Sequence, residues 1–202
     1  MDAPPRFDPD GNERLTAATG LVLIVLSVAE IATLLLGLQR TLPWHVAIGL
    51  MLIPPIALKL ASTGWRFVRY YTRNAVYREK GAPQIVMRLL APLLVFLTVV
   101  LFGSGVAMGF VHGGALHVAR RLHGPAAAGW VILVGLHVLV YLRRALRETA
   151  AEVVSWSRRS RLRAWALAAA LVAGLVTALA TVPVQEPWLH LPSSHDRNEA
   201  GR

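Results

Sequence analysis

Three histidines lie in apolar stretches of the chain, at spacings that matter for metal chemistry. His123 and His137 stand 14 positions apart in one apolar segment, and His45 lies at the start of another. Fourteen residues of α-helix make nearly four whole turns, so the first two imidazoles share one helix face, roughly 21 Å apart along the axis. Histidines inside a membrane usually face the interior of a helix bundle. This pattern predicts imidazole ligation of a haem iron between helices.

The composition predicts an integral membrane protein. The chain has 202 residues, is 55% hydrophobic and has a mean hydropathy of +0.51. Apolar runs of about 20 residues are long enough to cross a hydrocarbon core. We therefore expect an all-α fold, with an N-terminal segment at 1–15 and a polar C-terminal tail at 183–202. Between them, five transmembrane helices are predicted at 16–38, 42–62, 85–110, 125–146 and 162–182.

The basic residues are concentrated in alternate loops. The loops after the second and fourth predicted spans hold Arg66, Arg69, Arg73, Arg78, Lys80, Arg143, Arg144, Arg147, Arg158, Arg159, Arg161 and Arg163. The opposite loops hold only Arg40 and the pair Arg120 and Arg121. Because cytoplasmic loops carry the excess of Lys and Arg, the N-terminus is predicted inside and the C-terminus outside. A membrane topology of this kind accounts for the formal charge of +10 without a nucleic-acid partner.

The chain contains no cysteine. This excludes disulfides, covalent haem attachment through Cys-x-x-Cys-His, and cysteine-ligated iron–sulfur clusters within the chain. No Gly-rich phosphate loop and no His-Glu-x-x-His motif occurs, so soluble-enzyme chemistry has little support and no catalytic residue is assigned. A redox cofactor must therefore be held by histidine or by non-covalent contacts.

The predicted topology pairs the histidines by depth. The second and fourth spans run in the same direction, so His45 is expected opposite His123 near the external surface. Fourteen positions further inward, Lys59 follows His45 and His137 follows His123. The outer level thus offers two imidazoles, whereas the inner level offers one imidazole and an amine. We expect one haem b at the outer level. A second haem, ligated by His137 at the inner level, is an open alternative.

Short stretches around these histidines resemble a known family. The run His45-Val46-Ala47-Ile48-Gly49 looks like the first ligand helix of the bacterial cytochrome b561 and nickel-hydrogenase cytochrome b class, and Leu122-His123 and Leu136-His137 look like the second. Residues 16–146 are similar to uncharacterised membrane proteins of high-GC bacteria. The resemblance implies a bacterial cytoplasmic membrane and a haem-binding bundle of the first four spans, with Gly49 leaving room for the macrocycle.

Two charged residues inside the predicted spans carry open alternatives. Glu30, the only acid there, is either a protonated carboxyl bonded to a neighbouring helix, a proton site near a quinol, or a partner for the distal nitrogen of a haem ligand. Lys59 either extends its amine towards the cytoplasmic interface or binds a haem propionate or an anionic lipid.

Prolines and arginines raise further structural expectations. Pro125 suits a first helical turn, which would leave His123 on the preceding loop and let His112 or His117 replace it as ligand. The Pro54-Pro55 pair predicts a kink in the second span. The segment 143–163 is interpreted either as a short helix on the inner leaflet or as a solvated linker.

These features predict one-electron transfer between the membrane quinone pool and a periplasmic or external redox protein, as an electron-transfer subunit of an oxidoreductase. Two alternatives stay open. One is an integral-membrane binding or assembly subunit without redox chemistry, surrounded by lipid. The other is a haem-dependent reductase of a small substrate such as ferric iron. A Soret band separates both haem hypotheses from the first alternative, and carbon monoxide binding favours the second.

Overall fold

The computed structural model of the protein describes residues 9–72, 74–79, 85–154 and 158–183. Within these ranges all regular secondary structure is helical: α1 (Pro9–Leu35), α2 (Leu38–Tyr71), α3 (Ala75–Glu79), α4 (Ile85–Met108), α5 (Gly113–Val154) and α6 (Arg158–Ala180). Five of these helices, all except the short α3, are long and apolar enough to cross a membrane. The predicted all-α membrane fold is confirmed.

Two helices continue well past the apolar runs that predicted them. α2 extends to Tyr71, and α5 extends from Gly113 to Val154. Hydropathy reports the length of helix that lipid can surround, whereas a helix with Arg, Glu and aromatic residues can continue into the interface and water. The residues that follow Arg143 therefore continue α5 as far as Val154. The prediction of a separate surface helix over these residues is wrong.

The start of α5 at Gly113 corrects a second expectation. His123 lies well inside the helix, and Pro125 is an interior helical residue. The interpretation of Pro125 as a first-turn residue that leaves His123 on a loop is therefore wrong. Pro54 and Pro55 likewise lie within one continuous helix, and the kink expected there stays a prediction.

The four helices α1, α2, α4 and α5 form two hairpins that pack side by side. α1 and α2 are joined at residues 36–37, where Gly37 has a φ of 98°, a left-handed conformation that glycine adopts without strain. The hydroxyl of Thr41 donates to the carbonyl of Thr33 at 2.6 Å and fastens the start of α2 to the end of α1. α1 also packs against α5, whereas α2 and α4 touch only slightly. The four helices thus surround a cleft whose loosest side lies between α2 and α4.

The sixth helix lies outside this group of four. α6 packs mainly along α2. At their crossing, a Cβ added to Gly174 would lie 2.5 Å from the carbonyl oxygen of Met51, so a glycine is required there. Small residues allow this close backbone approach, which supplies packing energy between helices in lipid.

The two ends of the bundle differ in charge. We call the end that contains the turns at 36–37 and 109–112 the histidine end, and the opposite end the arginine end. At the arginine end, Glu13 of α1 accepts bonds from Arg66 of α2 at 2.8 Å and from Arg144 of α5 at 2.9 Å. The amide of Asn12 donates to the carbonyl of Ser62 at 2.9 Å. These contacts fix three helices against one another at the arginine end.

Candidate functional site

His45 of α2 and His123 of α5 face each other inside the cleft, near the histidine end. Their ring centroids are 6.3 Å apart, and the ring planes are inclined at 84°. Metal–nitrogen distances of about 2.0 Å place the centroids of two imidazoles on opposite sides of one metal atom roughly 6 Å apart. The observed separation therefore suits a pair of axial ligands, and the structure brings together the two residues predicted for the outer level.

Two oxygen atoms of α1 hold the Nδ1 atom of His45. The Oε1 atom of Glu30 lies at 2.9 Å and the Oγ1 atom of Thr33 at 3.1 Å. The hydroxyl of Thr33 donates its own proton to the main-chain carbonyl of Glu30 at 2.6 Å, so its oxygen accepts from the imidazole. We therefore assign the ring proton of His45 to Nδ1, which leaves the lone pair of Nε2 to bind a metal.

The surroundings of His123 repeat this pattern with other groups. Its Nδ1 atom lies 3.1 Å from the carbonyl oxygen of Leu101 and 3.2 Å from the hydroxyl oxygen of Ser104, both in α4. Ser104 donates to the same carbonyl at 3.0 Å. Because a carbonyl oxygen can only accept, Nδ1 of His123 carries the proton and Nε2 is again the metal-binding nitrogen. Such bonds to the far nitrogen are typical of histidines that ligate metals.

Two glycines give the histidines and their partners room. A Cβ at Gly105 would lie 3.1 Å from Cε1 of His123, so the ring rests directly on the backbone of α4. A Cβ at Gly49 would lie 3.3 Å from Oε1 of Glu30. Gly49 also lines the cleft, as expected, but the atom nearest to it is the carboxylate that bonds to His45.

The cleft around the imidazoles is formed by all four helices of the two hairpins. Its cavity volume is about 140 Å³, and it is partly open to the surroundings. Its walls are mostly apolar and include Ile31, Leu50, Ile53, Phe102, Ala127 and Val131. Along α5 the lining extends from His123 to Val131, about 12 Å of helix at 1.5 Å per residue. An apolar space with a few fixed polar groups is the usual form of a cofactor site.

The inner level is arranged differently. The amine of Lys59 donates to the carbonyl of Thr16 in α1 at 3.0 Å, and a Cβ at Gly20 would lie 2.8 Å from its Nζ atom. The ring of His137 packs against Tyr141, with centroids 4.9 Å apart. The amine of Lys59 is thus bonded to α1, whereas His137 packs within its own helix. The described contacts do not bring these two side chains together as a ligand pair, and their part in cofactor binding stays a prediction.

The remaining histidines of the described chain lie away from the cleft. His112, just before α5, and His117, in its first turns, are exposed, and neither is needed as a substitute because His123 stands opposite His45. Among the described residues, no group of three or more His, Asp or Glu side chains is placed to hold a metal ion. Two imidazoles suit a porphyrin iron better than a bare ion, since the macrocycle itself supplies the four equatorial nitrogens.

Sequence reasoning named Glu30 as a possible partner of a ligand but missed the hydroxyl oxygens that bond to the imidazoles from α1 and α4. Thr33 follows Glu30 by three positions, and Ser104 follows Leu101 by three. In each case the hydroxyl bonds back to the carbonyl one turn earlier and its oxygen faces the imidazole. Hydroxyl residues within apolar spans were the available signal, because in lipid a hydroxyl needs a partner on its own helix or a neighbouring one.

Comparisons of the chain with models of protein families, with curated proteins and with solved structures give no match. The geometry of the cleft is therefore what indicates a cofactor site. Its three parts are the spacing of the two rings, the hydrogen bonds at both Nδ1 atoms, and the apolar space between four helices.

Proposed function

We propose that the protein is a membrane-embedded b-type cytochrome that transfers single electrons through one haem ligated by His45 and His123. The observation that carries the proposal is the facing pair of imidazoles, 6.3 Å apart between centroids, with an oxygen at each Nδ1. The resemblance of the histidine helices to the bacterial cytochrome b561 and nickel-hydrogenase cytochrome b class supports the same function.

The residues of the cleft fit a haem b and have distinct tasks. Bound there, the haem supplies one-electron exchange between the ferric and ferrous states of its iron. His45 and His123 would hold the iron through their Nε2 atoms, and the oxygens at their Nδ1 atoms fix the orientation of both rings. The apolar walls would limit the access of water to the iron. Because α1 and α4 already hold both imidazoles, the chain would need little rearrangement when a bound iron changes its oxidation state.

We further propose that the arginine end faces the cytoplasm of a bacterial cell and the histidine end faces outwards. The support is the concentration of arginines at one end, as the positive-inside rule requires. The haem then lies near the external surface, between the quinone pool and a periplasmic or external redox protein. A quinol releases two electrons and two protons, so each quinol molecule supplies two successive one-electron transfers. The chain would act as an electron-transfer subunit of an oxidoreductase.

The proposal is tested on protein purified in detergent. A pyridine haemochrome assay is expected to give one haem b per chain, and a short-chain quinol is expected to reduce it. Carbon monoxide should not change the spectrum, because both axial positions are taken by imidazole. A protein without a Soret band would contradict the proposal and favour a non-redox binding or assembly subunit. Binding of carbon monoxide would instead favour a reductase with an open iron position.

A further inference from the structure

The two imidazoles of the site differ in the charge of the groups that hold them. His123 bonds to a carbonyl and a hydroxyl, which are both neutral. His45 bonds to the Oε1 atom of Glu30 at 2.9 Å and to a hydroxyl. A carboxylate that accepts the Nδ1 proton of a ligating imidazole increases the basicity of the ring, and with it the electron density at the metal. The two axial ligands are therefore unequal.

The environment of Glu30 indicates a missing positive charge. Its side chain is only 18% exposed, and within the described residues its Oε2 atom is buried without a hydrogen-bond partner. Burying an ionised carboxylate in an apolar region is costly unless an opposite charge compensates it. Among the described residues that line the cleft, none is a Lys or Arg. A ferric porphyrin held between neutral imidazoles carries a net positive charge at its centre, which would offset the carboxylate.

From these contacts we infer that Glu30 is a positioning residue that lowers the reduction potential of the haem iron by acting through His45. The inference rests on the function proposed above and identifies a residue that sets the reduction potential of that same site. The negative charge of Glu30 stabilises the ferric form, which has one more positive charge than the ferrous form. The apolar walls act in the opposite direction, since a low dielectric favours the less charged ferrous centre.

The test is a redox titration of full-length purified protein and its Glu30→Gln variant. Glutamine keeps the size of the side chain and an oxygen that accepts from Nδ1, but it removes the charge. At a fixed applied potential the ratio of ferrous to ferric haem is expected to rise about tenfold, which for one electron is a midpoint about 59 mV higher. Glu30→Asp retains the charge and should restore most of the original potential.

Ser104→Ala is the matched control on the other ligand. It removes a neutral oxygen from His123 and leaves the carbonyl of Leu101 as acceptor, so the potential should change little. The inference is overturned if Glu30→Gln binds one haem and shifts the potential no further than Ser104→Ala does. Absence of haem from the unaltered protein would overturn the proposed function and the inference with it.

A second variant keeps the test decisive if Glu30→Gln fails to bind haem. In Gly49→Ala the added methyl group would lie 3.3 Å from Oε1 of Glu30, so it displaces the carboxylate by a few tenths of an ångström and retains its charge. The weaker bond to His45 should raise the potential in the same direction, by less than tenfold in the ferrous-to-ferric ratio. An unchanged potential in this variant would then overturn the inference.

Discussion

Two levels of the same bundle share one sequence pattern and differ in structure. At the outer level, His45 and His123 face each other across a cleft with ring centroids 6.3 Å apart. Fourteen residues further along each helix, Lys59 bonds to the carbonyl of Thr16 in α1, and His137 packs against Tyr141 in its own helix. Equal spacing sets equal depth, but the groups on neighbouring helices decide which way a side chain turns.

The difference follows from what α1 presents at each level. Near the histidine end, α1 presents the carboxylate of Glu30 and the hydroxyl of Thr33, and both accept from the ring of His45. Near the inner level, α1 presents a glycine at position 20 and a main-chain carbonyl, which together accommodate the long amine of Lys59. We therefore expect one haem per chain.

The largest expected effect comes from removing single imidazoles. His45→Ala and His123→Ala should each abolish haem binding, because a hexacoordinate low-spin site needs both rings. His137→Ala is the matched control, since it removes an imidazole from the other level of the same helix as His123, and it should retain one haem. A pyridine haemochrome assay of the three purified variants checks this. Equal haem content in all three would contradict the assignment of the ligands.

A smaller effect is expected from adding one methyl group beside a ligand. In Gly105→Ala the new Cβ would lie 3.1 Å from Cε1 of His123, so the ring must shift away from α4. Disturbing the support of a metal ligand typically weakens binding by about 10- to 100-fold. Gly103→Ala is the control, because a Cβ there meets no atom within 4 Å. Haem titration followed at the Soret band compares the two, and equal affinities would contradict the close contact.

A third prediction separates the stability of the bundle from its cofactor site. In Gly174→Ala the Cβ would meet the carbonyl oxygen of Met51 at 2.5 Å, so α6 must move away from α2. Overpacking of this kind destabilises a fold by about 1–3 kcal/mol. Denaturant unfolding should show the loss, while the haem content of the folded fraction stays at one per chain. Gly135→Ala, with no neighbour within 4 Å, should leave stability unchanged.

The smallest effect is expected from giving the inner level a pair of histidines like that of the outer level. Lys59→His gives that level two histidines at the right spacing, yet the haem content should remain one per chain. The side chain at position 59 is directed towards α1. Within the described residues, no cleft is lined by both residue 59 and His137. A haemochrome assay that gives two haems per chain would show that spacing alone builds this type of site.

Much of the fold could be predicted from the sequence, because apolar length and charge asymmetry act through simple rules. Five spans followed from the lengths of the apolar runs, and the matched depth of His45 and His123 followed from the common direction of the second and fourth spans. The ends of the helices could not be predicted from the sequence, since α2 and α5 continue beyond the apolar runs. The direction of the Lys59 side chain could not be predicted either, because it depends on the carbonyl of Thr16, 43 residues earlier, and on Gly20 in the same helix α1.

The partners of the imidazoles were only partly predictable. Glu30 was a candidate for bonding to a ligand, because an acid within a span needs a compensating group. Which histidine it meets depends on the turn at Gly37, which brings the last turns of α1 beside His45. Ser104 and the carbonyl of Leu101 lie 19 and 22 residues from His123, and no local pattern links them to that histidine.

The most direct test of a haem between His45 and His123 is electron paramagnetic resonance of the oxidised protein. The ring planes are inclined at 84°, so the account predicts the strongly anisotropic low-spin ferric signal that perpendicular axial imidazoles produce. The signal should disappear in His45→Ala and persist in His137→Ala. A high-spin signal from the unaltered protein, or the rhombic signal of parallel imidazoles, would contradict the assigned pair of ligands.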